Sequence, residues 1–545
     1  MGITRPGGAV RALAVGISVA LLGACAAAPA IPPPAPTPVP TLNPLFAAGV
    51  GAAVAGVVAS DVTVTVDLTR DQRPISRDVY GLNGPPADVL AELRTPFNSW
   101  GGNPSSRYNW RHGYAWNTAR DWNYQNTDFQ NLASNTALDF LVEARENDMG
   151  VRLAVPTLGW VAKNADAAIC SFPNADGSCG NAGLASCENP GTIADPTRAN
   201  VPSDTESVKA WLTYLTQERG ERIQYIAMDN EPELWGVTHY DVHPECTTYR
   251  EMRDKYIEYA TAVRSVVPDA QLAGPTTCCW FYYWNSPSGR VDKFVNGNQE
   301  FLPWFLDELR KHDQVTGIKT IDVLDIHHYP ADLYNNDADA KTAAHRLRST
   351  KALYDPMYVD ESWIATPIQL IPRMKTLIAQ HYPGLKLGIS EWNWGADKTM
   401  NGALAIADVL GIMGREGVDY ATYWRYPDLG SPGMFAFKLF TNYDDNGGSF
   451  GGTAVFATST NVDRVSSYAA ADETTGRITV LLVNKSVSES SIVALQGAHM
   501  TGPAALFRYS QAAPDRIVES PLTLDPAQTL TLPPSSITLL VIERS

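Results

Sequence analysis

The stretch SDTESVKAWLTYLTQERGERIQYIAMDNEPELW, residues 203–235, contains one full repeat of the pattern that decides the fold. Ser203 followed by Glu206 has the spacing of a capping box, so a helix is expected to start there. Val208, Trp211, Leu212 and Leu215 then recur at helical spacing. The following run at 223–229, IQYIAMD, is short and apolar, the mark of a strand buried on both faces. It leads directly into Asn230-Glu231, so a carboxylate arrives where the strand stops.

The same alternation extends in both directions. Strands are expected at 78–82 (DVYGL), 96–100 (PFNSW), 150–157 (GVRLAVPT), 223–229, 271–275 (QLAGP), 322–328 (DVLDIHH), 385–390 (LKLGIS) and 418–424 (VDYATYW). Helical spacing fills the gaps, as in 247–266, where Met252, Tyr256, Tyr259, Val263 and Val266 share a register. Eight strand–helix units predict an α/β fold, a (β/α)8 TIM barrel over 78–435. Past 435 the pattern turns all-β, with RITVLLV at 477–483 and SITLLVI at 536–542 between Gly, Ser, Asn and Pro. This predicts a C-terminal β-sandwich domain over 436–545. The alternating VTVTV at 62–66 is expected to add an N-terminal strand, within 60–77, to that sandwich.

The chain ends and the charge narrow the function. Arg5 and Arg11 precede an apolar run from Ala12 to Gly23, the pattern of an export signal over 1–25. Leu22-Gly23-Ala24-Cys25 resembles a lipobox, which would place a lipid anchor on Cys25; the alternative is an ordinary signal peptide cut nearby. Residues 26–59 read as a linker, Pro/Ala-rich to about 44 and then apolar without an assignable role. Without Cys25, six cysteines remain, an even number that in an exported chain reads as disulfides of open connectivity. The protein is therefore expected at the cell surface, on the outer membrane or secreted, with any membrane contact made through the lipid alone. A formal charge of -16 argues against nucleic acid and suits a neutral partner. No zinc-type CxxC pair occurs, and Asp444-Asp445-Asn446-Gly447 lacks full calcium-loop spacing and reads as a turn. No cofactor is required, although a structural calcium ion stays open.

In a barrel of this kind the functional groups gather where the strands end. Strand four ends on Glu231 and strand seven on Glu391, reaching the mouth from nearly opposite sides. Two facing carboxylates are what glycoside hydrolysis needs: one protonated to help the leaving oxygen depart, the other ionised to attack the anomeric carbon or to activate water.

These residues also carry a family resemblance. The chain resembles glycoside hydrolase family 44, endoglucanases and xyloglucanases built as a barrel with a β-sandwich. The resemblance rests on Arg73-Pro74-Ile75-Ser76 with Tyr80-Gly81-Leu82-Asn83; Gly101-Gly102-Asn103 with Arg107-Tyr108-Asn109-Trp110; and Leu158-Gly159-Trp160-Val161-Ala162-Lys163. It continues through Asp229-Asn230-Glu231-Pro232 with Leu234, Trp235 and His239; Asp325 to Pro330; Glu391; and Phe437-Lys438 with Asn442-Tyr443-Asp444. It implies a retaining mechanism, with Glu231 as acid/base, Glu391 as nucleophile, and a β-glucan substrate. In one respect the chain departs from the family. Members carry an Arg just before the Trp-Gly-Gly-Asn, where this chain has Ser99. A cation near the nucleophile keeps it ionised, and Arg107 is the sequence's candidate to supply it.

The remaining site residues follow from their chemistry. Asn230 is suited to hold a sugar 2-OH, and Asn103 and Lys163 join it from the matched motifs. Asp325, His327 and Tyr329 alternate, so they point the same way from strand six, to orient Glu391 or to touch sugar hydroxyls. A His in the core is the other reading of His327. Trp110, Trp160, Trp235, Trp394 and Trp424 follow strands at the mouth, where a ring face stacks on a pyranose. About three of the five are expected to do so and the rest to pack. The reading is a monomeric endo-β-1,4-glucanase or xyloglucanase. Xylan or mannan hydrolysis, transglycosylation, and a non-catalytic glycan-binding lipoprotein remain as alternatives.

Overall fold

The computed structural model describes residues 60–129, 136–183, 185–334, 336–337 and 339–543. The expected export signal, the Cys25 anchor and the linker lie outside these residues. Eight parallel strands close into a barrel: Gly81–Asn83, Phe97–Trp100, Gly150–Val155, Tyr225–Met228, Gln271–Thr277, Val323–His328, Lys386–Trp392 and Tyr420–Tyr423. Each corresponds to one of the eight expected runs. The eighth pairs with the first through Thr422–Gly81 and Tyr423–Leu82, which closes the ring.

The runs lack a polar face because helices cover the outside and side chains fill the inside. Phe97, Tyr225 and Tyr420 plug the interior, with ring centroids 4.5–5.7 Å apart. A Cβ at Gly388 would meet the Tyr420 ring at 2.3 Å, so strand seven needs glycine there. Val323 belongs to the same plug. The two-residue period of its strand therefore carries Asp325 and His327 inward above it.

Two boundaries differ from the sequence reading. The helix expected to begin with a Ser203 cap runs over Thr205–Thr213 and is capped by Asp204, whose carboxylate accepts the Ser207 N–H at 2.9 Å. Adjacent Ser and Asp both qualify as caps, and the chain uses the second. The eighth barrel helix spans Pro432–Thr441, so position 436 lies inside it, and the first strand after it starts at Thr453. Phe437 and Lys438 thus belong to a barrel helix.

The C-terminal part is a β-sandwich. Strand Thr453–Ser459 pairs at one end with Val465–Asp472 and at the other with Val62–Asp67, carrying the chain from one layer to the other. The N-terminal strand joins as expected, flanked on its other side by Ser491–Gln496. Val62, Val64, Val480, Leu482, Leu540 and Ile542 meet between the layers. Leu481, Val483 and Leu539 face the other way and join the barrel's core. The stretch Val480–Val483 within that strand is apolar at every position for that reason: both faces are covered.

The helix Met400–Glu416 lies in that joint. Its buried Asp408 accepts from Tyr468 at 2.6 Å, from Thr350 at 2.6 Å and from Ser466, and pairs with Lys485 at 2.7 Å. Burial pushes this carboxyl up, but Lys485 and the hydroxyls together hold it below the ordinary carboxylate value.

Three disulfides link Cys170–Cys179, Cys187–Cys246 and the adjacent Cys278–Cys279. The second ties the loop after strand three to the loop after strand four. Asp444 accepts the N–H groups of Asn446 and Gly448 at 2.9 and 2.7 Å, the bonding of a turn. Among the described residues no helix is long and apolar enough to cross a membrane.

Candidate active site

Strand four delivers its glutamate through a tightly held turn. Asp229 is buried in a left-handed conformation, φ 71°, as is the half-buried Glu231 at φ 44°. Non-glycine residues rarely adopt this conformation, and it persists only where the surroundings over-determine it. The surroundings here do so. The Asp229 carboxylate accepts from Ser106, from the Thr157 hydroxyl at 3.0 Å, from the Leu158 N–H at 3.0 Å and from the Asn230 N–H at 2.9 Å. One side chain thus binds the loops after strands two and three to strand four. The Glu231 N–H donates to the Thr276 carbonyl at 3.1 Å, anchoring the turn to strand five.

Strand seven brings Glu391 to the other side, and strand six stands between the two. His327 Nδ1 lies 2.8 Å from Glu231 Oε1 and 3.4 Å from Glu391 Oε2. The Tyr329 hydroxyl donates to Glu391 Oε2 at 2.7 Å. His327 thus lies nearer Glu231 than Glu391, while Tyr329 bonds Glu391. One oxygen of each glutamate and His327 Nδ1 all fall within 4.8 Å of one another. Three such atoms are near enough to share a metal ion, although a displacement at a sugar carbon needs none.

The two acids are tuned differently. Burial raises Glu231 to about 8, and the Asp121 carboxylate adds to the rise. Burial raises Glu391 to about 7; there His327, the Tyr329 hydroxyl and Arg152 work against the rise, while Glu231 adds to it. Burial also lowers His327, keeping the imidazole neutral. Glu391, unlike Glu231, thus has neighbours that favour its ionised form.

Arg152, not Arg107, supplies the nearby cation. Arg107 is committed to Asp241 through two bonds of 2.9 Å, with His239 beside it, in a buried knot away from Glu391. Arg152 rises from strand three to pair with Asp325 at 2.8 Å, with its Nη1 3.4 Å from Ser99 Oγ. The sequence contained a signal for it: a lone charge inside the apolar run GVRLAVPT, which a reading confined to strand ends passed over.

The remaining expected residues divide. Asn230 donates to Asn103 Oδ1 at 3.2 Å, and Asn103 donates to both oxygens of Asp121 at 3.1 Å, which makes a polar chain beside Glu231. Asp121 was not foreseen. The half-buried Trp424 lies against Gly102, where a Cβ would meet its ring at 2.5 Å, and the Gly102 N–H bonds Asn230. Glycine is needed there for the ring to approach. Trp160 also keeps an accessible surface.

Of the other three tryptophans, two are buried and Trp110 is half-buried. Trp235 is buried and aims its N–H at Asp229 3.4 Å away; Trp394 is buried and donates to Ser349 at 3.0 Å. Trp110 stacks on Tyr214 and donates to the Ser207 carbonyl at 3.1 Å. Trp235 and Trp394 thus pack with the indole N–H aimed at an interior oxygen. Lys163 is exposed and reaches the Thr197 carbonyl of its own neighbouring loop, 3.4 Å away.

Known proteins share this architecture. The family model described as Glycoside hydrolase family 44 matches residues 115–332. Endoglucanase A of Paenibacillus lautus is 27% identical over 503 residues, which cover 87% of this chain and 71% of that protein. The solved structure of CelM2, a bifunctional glucanase-xylanase from a metagenome library, is 34% identical with a TM-score of 0.82, covering 89% of this chain and 99% of that one. A Paenibacillus polymyxa xyloglucanase of family 44, solved with xyloglucan, is 25% identical with a TM-score of 0.75 over 89% and 100% of the two chains.

Proposed function

The chain belongs to glycoside hydrolase family 44, and from that premise we propose that it is an exported, retaining endo-β-1,4-glucanase or xyloglucanase. Glu391 is the nucleophile and Glu231 the acid/base. The observation that carries this reading is the spacing of the two carboxylates, whose nearest named oxygens lie within 4.8 Å. Retaining enzymes hold their carboxyl groups about 5–5.5 Å apart, and inverting ones leave room for a water at about 6.5–9.5 Å.

The chemistry follows from the tuning. A Glu391 oxygen attacks the anomeric carbon as the bond to the leaving oxygen breaks, and Glu231 gives that oxygen its proton. The sugar is then an ester of Glu391. Glu231, now a carboxylate, takes a proton from water, the hydroxide oxygen attacks the same carbon, and Glu391 leaves. Asn230 would bond the sugar's 2-OH, and Trp424 would offer a ring face to it. Cys25 would carry a lipid that holds the enzyme at the cell surface.

The test measures reducing ends and product anomers on soluble β-glucan, xyloglucan, xylan and mannan. Glucan or xyloglucan is expected to be cut with first-formed β-product. A first-formed α-product would exclude Glu391 as nucleophile. Azide is expected to rescue Glu391→Ala with inverted product and Glu231→Ala with retained product on an activated aryl glycoside. Xylan as the preferred substrate is the second reading, favoured by the likeness to a glucanase-xylanase.

A further inference from the structure

Beneath the two glutamates the barrel interior holds a charged group that touches neither of them. Arg152 and Asp325 are 1% and 0% exposed. Replacing a buried ion pair by apolar side chains often leaves stability unchanged or improves it, so stability alone does not account for one on the barrel floor. Its bonds run outward to the two catalytic strands. Arg152 Nε and Nη2 hold Asp325 Oδ2 at 3.0 and 2.8 Å, and Asp325 Oδ1 accepts the N–H of Ser390, the residue before Glu391, at 3.2 Å. On the other side, Arg152 Nη2 lies 3.3 Å from the Thr276 hydroxyl, and the Thr276 carbonyl accepts the N–H of Glu231. Thr276 is itself left-handed, φ 60°, a conformation that needs such a hold. Ser99 faces Arg152 across the strand pair, and its small side chain leaves the guanidinium its space.

We propose that Arg152, through Asp325 and Thr276, is the positioning residue that sets the separation of Glu231 and Glu391 and supplies the cation that favours the ionised nucleophile. This rests on the assignment of the two glutamates above. Losing the clamp frees the Ser390 and Thr276 supports together. The distance between the acids then varies, and the near-attack geometry is populated less often. Arg152 meets no sugar, so substrate affinity is unaffected. Glu391 is faced by His327 from strand six, Tyr329 and Tyr334 from the loop beyond it, Glu231 from the turn after strand four and Arg152 from strand three. Arg152 is the permanent cation among them.

The experiment compares wild type, Arg152→Met and Arg152→Lys. With a substrate in hand, kcat is expected to fall about tenfold or more in both variants, with KM within about twofold. The acidic limb of kcat/KM is expected to rise by about one pH unit or more in the Met variant and to stay in place in the Lys variant, which keeps the charge but not the fork. A folded Met variant with unchanged kcat and unchanged limb overturns the proposal. If the Met variant does not fold, the Lys variant decides: a kcat equal to wild type overturns the clamp. Carbon-13 NMR titration of the Glu391 carboxyl, assigned with Glu391→Gln, reads the charge effect without turnover. An inactive wild type would therefore sink the functional reading while leaving this one to be judged. A Glu391 titration equal in wild type and Arg152→Met would refute the charge effect.

Discussion

Between the layers of the sandwich, Val64, Val480, Leu482 and Leu540 meet as an aliphatic core. At the barrel mouth, the half-buried Glu231 meets buried Glu391 and His327 above the buried Asp325 and Arg152, and the backbone at Asp229, Glu231 and Thr276 is held left-handed. The first region lowers free energy through apolar burial and asks little of any one residue. The second raises it, since a buried carboxylate resists ionisation, and every group depends on its neighbours. The mouth is built for reactivity at a cost in stability that the rest of the molecule offsets.

The sharpest way to break this contrast is to neutralise the acids. Glu231→Gln is expected to lower activity on polysaccharide by about 10²–10⁴-fold, and Glu391→Gln by at least as much. Both should nevertheless melt higher than wild type. The sign follows from the raised folded-state values, about 8 and about 7. Each glutamate ionises in the unfolded chain above its ordinary value, near 4.5, while the folded form holds its proton. The destabilisation grows from there up to the folded values. The gain in melting temperature should therefore be larger at pH 9 than at pH 4. Scanning calorimetry at both pH values checks it, and a lower melting point at pH 9 would end the comparison.

Lys485→Met tests the joint between the two regions. It leaves Asp408 buried without its cation, a loss of about 3–5 kcal/mol where a buried pair is broken. The melting temperature should fall at pH 7, with kcat of the folded protein unchanged. Asp408 is held below its ordinary value, so its stabilisation is present above that value and lost as pH falls through the folded one. The gap between variant and wild type should shrink as the pH approaches 3. Thermal melts and kcat measured side by side would show whether the sandwich bears on stability alone.

The smallest expected effect is in the wild type's own pH profile. Activity should rise as Glu391 loses its proton near pH 7 and fall as Glu231 loses its own near pH 8. A profile of kcat/KM with its acidic limb near 4.5 would mean that the mouth is wetter than its burial implies.

Much of the fold could be read directly because its rules are local. Strands buried on both faces show as unbroken apolar runs, and all eight corresponded. Glu231 and Glu391 were legible for a related reason: a barrel places its chemistry where strands end. The tryptophans were not, because 235 and 394 follow strands just as 110, 160 and 424 do, and only tertiary burial separates them. Ser203 and Asp204 compete as caps within two residues, and a helix continuing past 436 looks the same in sequence as a strand about to start.

By itself the sequence determined the barrel, the sandwich that takes in the strand at 62–66, and the position of Glu231 and Glu391 at the ends of strands four and seven. Period, apolar run length and position along a strand are properties of neighbouring residues. The tertiary structure alone decided that Arg152 rather than Arg107 acts on Glu391, and that Asp121 acts on Glu231. It also decided which tryptophans keep an open face. Those outcomes depend on residues far apart in sequence, such as Arg152 and Asp325, meeting in a low-dielectric interior where a few ångströms decide whether a charge is paired.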